Sequence, residues 1–422
     1  MSDLVLTTEP GCSDDSDPHS LPYEIALQKI IASVSPVSGT EVVLIQQALG
    51  RVLAADLIAT MNVPPAANSA MDGYAVHSSD IPATGTQQLT LVGTSLAGKP
   101  YAATVPRGHC VRILTGAVLP DGTDTVIMQE NVVVSADRVT LDARTVKGDN
   151  VRPIGEDYKR GDVLLRAGSL LTPAALGVIA SMGIAEIAVT RKLKIAVFMT
   201  GDELRSAGQT LAPGQIYDSN RYTLHGMLTR LGAEILDLGI IRDDRQAIEQ
   251  ALLSAANSAD AIITSGGVSV GDADLVREVV EKLGTINFWK VAMKPGRPLA
   301  FGKINNAWFF GLPGNPVSTM ATFYLFVQPA LQRLSGQTPT APVSMKVLCT
   351  SILKKRPGRL EYQRGILSRN PNGELTVTKT GAQGSGILSS MTQANCFIVL
   401  PVENDGVMAG ETVEVVPFYG LV

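Results

Sequence analysis

The acidic, glycine-rich segment at residues 264–274 has the residue types that phosphate chemistry requires. Gly266 and Gly267 follow a short apolar run typical of a strand, and apolar residues with helical spacing follow Asp274. A strand that leads through glycines into a helix presents backbone N–H groups to a phosphate. Because Asp272 and Asp274 lie where that anion would dock, the pattern predicts a divalent metal that bridges carboxylate and phosphate.

A purely structural role for the two aspartates is the alternative. Asp272 would then cap the following helix, and Asp274 would complement the helix dipole in its first turn. That explanation does not account for the paired glycines, or for Ser265 and Ser269 beside them. We therefore favour the functional interpretation.

A basic segment at residues 288–298 has the charge to bind an oxyanion. Side chains alternate along an extended strand, so Lys290 and Lys294 are expected to share one face. Arg297 follows in a rigid Pro-Gly turn, and the three cations together could form an oxyanion site. The alternative is an edge strand whose lysines discourage aggregation.

A third segment, at residues 311–318, also joins a strand pattern to a helix pattern. Pro313 and Gly314 favour a tight turn, and Pro316 suits the first position of a helix. Backbone N–H groups at that helix start would again face an anion. An ordinary strand-to-helix connection explains this segment equally well.

Further carboxylates follow other strands of the same region. Glu203 lies just after the first strand, and Asp243 lies a short loop after the second. Because parallel strands end at one edge of a sheet, we expect these acids to gather there. A cation between them and a phosphate would relieve their mutual repulsion. Each acid taken alone is explained as a cap or a solvated charge.

The elements that position these segments follow from the periodicity of the sequence. Residues 192–334 alternate strand and helix patterns, which predicts a doubly wound, mainly parallel α/β sheet. Short β-branched runs between turn residues predict a small inserted β domain at residues 61–155. Residues 335–422 return to strand patterns and predict a C-terminal β domain like a barrel. The predicted fold class is therefore α/β plus β.

The remaining residues are expected to be helical or disordered. Apolar stripes at residues 20–60 and 156–191 predict a helical linking domain, with one stripe around residues 43–49. Residues 1–19 contain several acids and neither Lys nor Arg. This composition predicts a disordered tail and not a signal peptide.

Composition and charge exclude several classes of protein. A formal net charge of −4 gives no general attraction for nucleic acid or for an anionic membrane. No apolar run is long enough to predict a transmembrane helix. The four cysteines are far apart and lack metal-ligand spacing, so no zinc site or disulfide framework is predicted. A reducing cytoplasm is the expected location.

Seven blocks of sequence resemble the molybdopterin molybdenumtransferase family, the MoeA-type molybdenum-insertion enzymes that include the E domain of gephyrin. The blocks occur in family order and extend over almost the whole chain from near residue 20. One block alone would be weak, but seven in order are a specific signal. They are residues 68–74, 114–116, 155–157, 200–204, 265–274, 290–298 and 311–318.

The resemblance implies a homodimer of elongated four-domain subunits. The active site would lie between the α/β domain of one subunit and the inserted β domain of the other. The reaction would take adenylylated molybdopterin and molybdate and yield molybdenum cofactor and AMP, with Mg²⁺ for cleavage of the pyrophosphate bond. Expected partners are the molybdopterin adenylyltransferase and the apo-molybdoenzymes, with neither nucleic acid nor membrane.

The resemblance also assigns roles to the acidic residues. Asp274, with Glu203 and Asp243 nearby, would hold the metal or position the attacking water. Asp72 would reach the site from the partner subunit. These four acids are the ones expected to act on the pyrophosphate bond.

Positive charge is expected to bind molybdate, because molybdate is a dianion. The resemblance implies Lys290, Lys294 and Arg364 for this role, with Ser385 as a hydroxyl donor. The other residues expected to bind the substrate are Ser265, Gly266, Gly267, Ser269, Gly271, Pro295, Pro313, Gly314, Asn315, Pro316, Thr115 and Asp157.

Two functions of other classes remain as alternatives. One is a scaffold, as in gephyrin, where this type of module also clusters membrane receptors. That scaffold carries extra N-terminal domains, whereas this chain begins with a short acidic tail. The other is a molybdopterin adenylyltransferase, which a related α/β domain would serve. The presence of all four parts of the chain disfavours it.

Overall fold

The structure is a computed structural model, and it describes residues 20–267 and 275–418. No helix within these two ranges is both long and apolar enough to cross a membrane. The helices are α1 Tyr23–Ser33, α2 Pro173–Ser181, α3 Asn220–Arg230, α4 Arg245–Ser258, α5 Leu275–Leu283, α6 Pro316–Thr322, α7 Gln328–Leu334 and α8 Ser389–Gln393. The strands are β1 Thr40–Leu44, β2 Leu57–Ile58, β3 Asn68–Ser69, β4 Gly73–Val76, β5 Thr86–Ser95, β6 His109–Ile113, β7 Thr125–Met128, β8 Val133–Ser135, β9 Arg138–Asp142, β10 Val151–Arg152, β11 Val163–Leu165, β12 Glu186–Thr190, β13 Lys194–Thr200, β14 Leu204–Arg205, β15 Ile216–Tyr217, β16 Glu234–Ile241, β17 Ala261–Ser265, β18 Gly284–Lys290, β19 Met293–Lys294, β20 Pro298–Ile304, β21 Ala307–Leu312, β22 Met345–Cys349, β23 Leu353–Lys354, β24 Leu360–Arg369, β25 Leu375–Lys379, β26 Cys396–Leu400, β27 Gly406–Val407 and β28 Thr412–Pro417.

A six-stranded sheet forms the centre of one compact unit, which comprises the described residues 20–41, 50–52, 189–267 and 275–418. The strand order is β16-β13-β17-β21-β20-β18. The first four strands are parallel to one another. Their carboxyl ends therefore lie at one edge of the sheet, where the predicted site segments follow them.

Apolar side chains on both faces of this sheet attach helices to it. On one face, Ile195 and Val197 of β13 share a core with Leu224 of α3. On the other face, Phe198 shares a core with Ile248 of α4. Because helices cover both faces, the sheet is doubly wound, as the alternating pattern predicts.

The strand β20 is absent from the sequence prediction, which places only a turn after Pro295. β20 pairs antiparallel with both β18 and β21, so these strands complete the otherwise parallel sheet. Asn305, with φ of 52°, lies in the tight turn between β20 and β21. Pro298 is the first residue of the strand, a position where proline is tolerated.

The C-terminal strands form a closed barrel. Its strands are β24, β25, β22, β28 and β26, and the barrel closes because β24 pairs with β26 as well as with β25. Val377, Ile398 and Val415 are fully buried in its core. The short strand β19 pairs with β24, so a segment between two strands of the α/β sheet joins the barrel. The predicted barrel-like domain is confirmed.

A second compact unit comprises residues 42–49 and 53–188. It contains a six-stranded sheet in the order β7-β4-β6-β5-β9-β8. Tyr74, Leu89 and Val139 are buried in its core. This sheet is the inserted β domain that the sequence predicts.

The helix expected around residues 43–49 does not form. Thr40–Leu44 is strand β1, and Ile45–Gln47 makes a single 3-10 turn. The β-branched side chains in this strand favour extended backbone over helix. The helix expected near residue 173 does form, and Thr172 caps it by accepting a hydrogen bond of 3.3 Å from the N–H of Ala175.

Candidate functional site

Glycine residues allow the loops that follow three strands to meet at the edge of the α/β sheet. The N–H of Gly266, after β17, donates to the carbonyl oxygen of Leu312 at the end of β21, at 3.2 Å. A Cβ on Gly266 would lie 2.7 Å from the carbonyl oxygen of Thr200 at the end of β13. A Cβ on Gly314 would lie 3.9 Å from the Cα of Gly266. Since Gly266 has φ of 92°, only glycine fits this position without strain.

Asn220 connects two of these loops by its side-chain amide. Its Nδ2 donates to Ser265 Oγ at 2.8 Å and to the carbonyl oxygen of Gly314 at 2.7 Å. Ser265 Oγ in turn donates to the carbonyl oxygen of Pro313 at 2.9 Å. The predicted residues Ser265, Gly266, Pro313 and Gly314 therefore form one connected group. Sequence reasoning missed Asn220, although a polar residue at a helix start was a usable signal.

A buried carboxylate holds the start of α3, the helix that begins with Asn220. Asp218 is 3% exposed, and its Oδ1 accepts a hydrogen bond of 3.0 Å from the N–H of Arg221. Its Oδ2 is buried and has no hydrogen-bond partner among the described residues. Burial raises the pKa of Asp218 above its ordinary value, although the hydrogen bond from Arg221 opposes the shift. The sequence prediction does not include this residue either.

Arg364, on the barrel strand β24, is a buried cation whose side-chain hydrogen bonds to described residues go to neutral groups. It is 1% exposed, and its Nε donates to Ser390 Oγ at 2.9 Å. Its Nη2 donates to the carbonyl oxygen of Gly384 at 3.0 Å. It forms no ion pair with a described carboxylate, and burial lowers its pKa to about 10. A guanidinium has five N–H donors, so this buried charge retains donors for an anion.

Ser385 connects the Arg364 region to the glycine loops. It follows Gly384, and its carbonyl oxygen accepts a hydrogen bond of 3.0 Å from the N–H of Val317 in the first turn of α6. Pro316 is the first residue of α6, as predicted, and the carbonyl oxygen of Asn315 accepts from Thr319 Oγ1 at 3.0 Å. The loop that carries Ser385 therefore lies against the start of the helix that follows Pro313 and Gly314.

Lys294 lies close to the buried acid Glu361 of the barrel strand β24. In the β19–β24 pairing it is opposite Glu361, and its Nζ lies 3.6 Å from Glu361 Oε1. The Lys294 side chain is 54% exposed, whereas Glu361 is buried. Pro295, which follows through a cis peptide bond, is buried. A Cβ on Gly296 would lie 2.5 Å from Thr322 Oγ1, so this loop packs against α6.

Lys290 does not share a strand face with Lys294, which corrects the sequence prediction. β18 ends at Lys290, whose side chain is exposed and whose carbonyl oxygen accepts from the N–H of Leu21 at 2.7 Å. The chain then leaves the α/β sheet before Met293 and Lys294 pair with the barrel. Alternation along one strand cannot predict such a change of sheet.

The acids predicted to hold a metal follow neighbouring strands. In the β13–β16 pairing, Thr200 is opposite Ile241, so Glu203 and Asp243 both lie at the same edge of the sheet. The Glu203 carboxylate folds back over Gly201, where a Cβ would lie 2.6 Å from its Oε2. Asp243 lies just beyond β16 and is exposed. Within residues 20–267 and 275–418, no three His, Cys, Asp or Glu side chains are grouped to hold a metal ion.

Part of the acidic loop falls outside the described residues. This applies to Ser269, Gly271, Asp272 and Asp274. Carboxylate oxygens are nevertheless the donors that Mg²⁺ prefers, and two of the three predicted ligands stand at adjacent strand ends. The donor chemistry of Glu203 and Asp243 therefore fits this metal.

In the inserted β domain, Asp72 and Thr115 are brought into direct contact. Asp72 Oδ1 accepts from the backbone N–H of Thr115 at 2.7 Å and from its hydroxyl at 2.8 Å. The hydrogen bond from the Thr115 N–H has the largest effect on the pKa of Asp72 and lowers it. The Thr115 hydroxyl and the positive charge of Arg112 lower it further. Asp157 is exposed in another loop, where its N–H donates to the carbonyl oxygen of Val63 at 3.0 Å. Among the described residues, no hydrogen bond joins Asp157 to Asp72 or Thr115.

Family models match almost the whole chain. The MoeA N-terminal region (domain I and II) matches residues 21–183, and the MoeA C-terminal region (domain IV) matches residues 346–418. Between them, residues 196–333 match the probable molybdopterin binding domain. The three family models follow one another along the chain in the same order as the seven sequence blocks that resemble the family.

Individual relatives match over most of this chain. The chain is 47% identical to a molybdopterin molybdenumtransferase of Haemophilus influenzae, over 94% of this chain and 98% of the relative. It is 33% identical to gephyrin of Dictyostelium discoideum, over 94% of this chain and 62% of that longer protein. The crystal structure of the molybdopterin biosynthesis MoeA protein from Pyrococcus horikoshii matches with a TM-score of 0.81 and 29% identity, over 94% of this chain and 100% of that one.

Proposed function

The chain belongs to the molybdopterin molybdenumtransferase family, and from this premise we propose that it inserts molybdate into adenylylated molybdopterin. The protein acts in molybdenum cofactor biosynthesis as a transferase. In the proposed reaction the pyrophosphate bond of the adenylylated pterin is hydrolysed, and AMP and molybdenum cofactor are released. The observation that carries the proposal is the buried Arg364 guanidinium, which pairs with no carboxylate of the described residues and lies near loops suited to phosphate.

The glycine loops of the α/β sheet would bind the phosphates. Gly266 and Gly314 have no side chains, so phosphate oxygens can approach the backbone at the ends of β17 and β21 closely. Ser265 and Asn220 hold these loops together through hydrogen bonds of 2.7 Å, 2.8 Å and 2.9 Å. This arrangement fixes the positions of backbone donors before the substrate binds, which favours charge stabilisation during bond cleavage.

Molybdate would bind at the cations near the barrel. Arg364 offers N–H donors from a buried position, and Lys294 offers an ammonium group at the loop that packs on α6. Ser385 adds a hydroxyl next to Gly384, which already contacts Arg364. Lys290 lies at the end of β18 and would contribute charge from a separate strand. Fixed cations suit an oxyanion because they need little rearrangement when it binds.

For Mg²⁺ we propose Asp274, Asp243 and Glu203 as ligands. When bound, the ion would neutralise negative charge on the phosphates and on the leaving group. The hard oxygen donors and the adjacent positions of Glu203 and Asp243 support this assignment.

We further propose a homodimer in which Asp72 acts on the site of the partner subunit. The two hydrogen bonds from Thr115 fix the Asp72 carboxylate and keep it ionised at neutral pH. An ionised, oriented carboxylate can accept a proton from water or direct a water molecule at phosphorus. Asp157, in the same compact unit of residues 42–49 and 53–188, would also bind the substrate.

A cytoplasmic location and two sets of protein partners complete the proposal. Cys110, Cys349 and Cys396 are buried free thiols, which supports a reducing compartment. The partners would be the molybdopterin adenylyltransferase that makes the substrate and the apo-molybdoenzymes that accept the product.

Two inactive variants test the roles of the acids and the dimer together. We expect Asp274→Ala to abolish AMP release while adenylylated molybdopterin still binds, and Asp72→Ala to lower AMP release strongly. Mixing the two variants and allowing subunits to exchange should restore part of the activity, because one site of each mixed dimer has both aspartates. Unchanged AMP release by Asp274→Ala would contradict the proposed chemistry, and absence of recovery would contradict the shared site.

The alternative functions are not favoured. The relatives named molybdopterin molybdenumtransferase match this chain over nearly their whole length, including the α/β, inserted β and barrel parts. The gephyrin match covers the same share of this chain, 94%, but at 33% identity compared with 47% for the transferase of Haemophilus influenzae.

A further inference from the structure

Arg112 is a cation of the inserted β domain that the proposed reaction does not yet use. It lies on β6 directly opposite Tyr74 of β4. Its guanidinium carbon is 6.0 Å from the centre of the Tyr74 ring, and its Nη1 donates to the Tyr74 hydroxyl at 3.4 Å. Because Tyr74 is buried, the ring provides a fixed support for the guanidinium plane.

The strand pairing places Arg112 at the same end of the sheet as Asp72. Asp72 precedes β4, Thr115 follows β6 and Gln129 follows β7, and these three strands are neighbours in the sheet. The N–H of Gln129 donates to the carbonyl oxygen of Asp72 at 3.1 Å. Arg112 Nη2 donates to Gln129 Oε1 at 3.3 Å. Four polar residues from three strands thus form one surface, which we call the Asp72 surface.

No ion pair with a described residue neutralises the charge of Arg112. Both hydrogen bonds of its guanidinium go to neutral acceptors, and both are long. Within the two described ranges, Arg112 forms no ion pair with an Asp or Glu. The side chain is half-buried, so its remaining N–H donors lie at a partly desolvated surface where a charge-assisted hydrogen bond is strong.

We propose that Arg112 is a further substrate-binding residue, whose guanidinium binds a phosphate oxygen of adenylylated molybdopterin at the Asp72 surface. This inference rests on the proposed function. If the ionised Asp72 acts at a phosphorus atom, its carboxylate and the phosphates repel each other. A guanidinium beside Asp72 offsets that repulsion and orients a tetrahedral oxyanion through its planar fork of donors.

Phosphate and molybdate are both tetrahedral oxyanions, and the inference commits to phosphate. Lys294 and Arg364 already supply cations for molybdate from the α/β and barrel unit. Arg112 instead shares a surface with Asp72, the residue assigned to cleavage of the pyrophosphate bond. The two assignments predict different effects. Removal of Arg112 should weaken binding of adenylylated molybdopterin, whereas removal of Arg364 should raise the molybdate concentration that the reaction needs.

The variant Arg112→Gln tests the inference, with full-length protein, adenylylated molybdopterin, molybdate and Mg²⁺. We expect the KM for adenylylated molybdopterin to rise about ten- to a hundredfold, because a hydrogen bond to a charged group is lost. The molybdate concentration for half-maximal rate should stay within about twofold of wild type. In calorimetric titrations AMP should bind correspondingly more weakly. Arg112→Lys keeps the charge but not the planar fork of donors, so its KM should lie between those of wild type and Arg112→Gln.

Arg138→Gln is the matched control, because Arg138 lies on β9 of the same sheet and donates to Thr90 Oγ1 at 2.7 Å. It should leave the KM and AMP binding unchanged.

Wild-type values in Arg112→Gln would overturn the inference and leave the proposed function standing. A change in molybdate dependence alone would also overturn it, since the anion would then be molybdate. If Arg112→Gln fails to fold, Arg112→Lys decides, and a wild-type KM in that variant refutes the role. If wild-type protein releases no AMP, the proposed function fails and this inference fails with it.

Discussion

The substitution Arg364→Met removes a buried positive charge and keeps an unbranched side chain. Arg364 donates to Ser390 and Gly384 and forms no ion pair with a described carboxylate. A hydrogen bond to a charged group contributes about 1.5–3 kcal/mol. Because about 1.4 kcal/mol corresponds to a factor of ten, we expect the molybdate concentration for half-maximal rate to rise roughly 10- to 150-fold.

The same substitution should cost little folding stability. Burial lowers the pKa of Arg364 from 12.5 to about 10, which corresponds to roughly 3 kcal/mol against the charged form. Because the folded state binds this proton less tightly than the unfolded state, the cost is present at neutral pH and disappears as the pH rises above the folded-state pKa. The lost hydrogen bonds to Ser390 and Gly384 cost about 1 kcal/mol each. The free energy of unfolding should therefore stay within about 2 kcal/mol of wild type.

The assay measures AMP release at a saturating concentration of adenylylated molybdopterin while molybdate is varied. Urea unfolding of the same samples reports the free energy of unfolding. Arg369→Met is the control, because Arg369 lies on the same strand but is exposed and contacts only a turn carbonyl. A wild-type molybdate response in Arg364→Met would refute the proposed role. A large loss of stability without a change in molybdate response would show that Arg364 is structural.

Two further predictions concern the helix α3. Asn220→Ala removes hydrogen bonds of 2.7 Å to Gly314 and 2.8 Å to Ser265. We therefore expect the free energy of unfolding in urea to fall by about 1–3 kcal/mol and the KM for adenylylated molybdopterin to rise. A wild-type KM would contradict the role of Asn220 in positioning the loops. Burial raises the pKa of Asp218, so the stability that its protonated form provides is lost as pH rises from its ordinary pKa through the folded-state pKa. Asp218→Asn should remove this dependence, so its stability relative to wild type should increase as the pH rises above the ordinary pKa of an aspartate, and a constant difference in urea unfolding would contradict the assignment.

Local patterns were sufficient to predict the frame of the site. The apolar strands β13, β17 and β21 are each followed at once in the sequence by glycines or a proline. Hydrophobic periodicity and turn residues therefore indicate the α/β sheet and its functional edge. The contact of Asp72 with Thr115 joins blocks that the family resemblance alone brought together.

Contacts between distant segments were not predictable in this way. Asn220 lies far in sequence from both Ser265 and Gly314, and no local pattern indicates which loops its amide joins. The burial of Arg364 depends on packing of the barrel, and arginine is ordinarily a surface residue. Lys290 and Lys294 were expected on one strand because alternation assumes that a strand stays in one sheet, whereas β19 pairs with the barrel.

AMP release from adenylylated molybdopterin by the wild-type protein tests the central claim most directly. The measurement compares reactions with molybdate and Mg²⁺, with either one alone, and with neither. We expect rapid AMP release, together with formation of molybdenum cofactor, only when both are present. Intact substrate under all four conditions, or AMP release without any molybdenum cofactor in the presence of molybdate, would contradict the account.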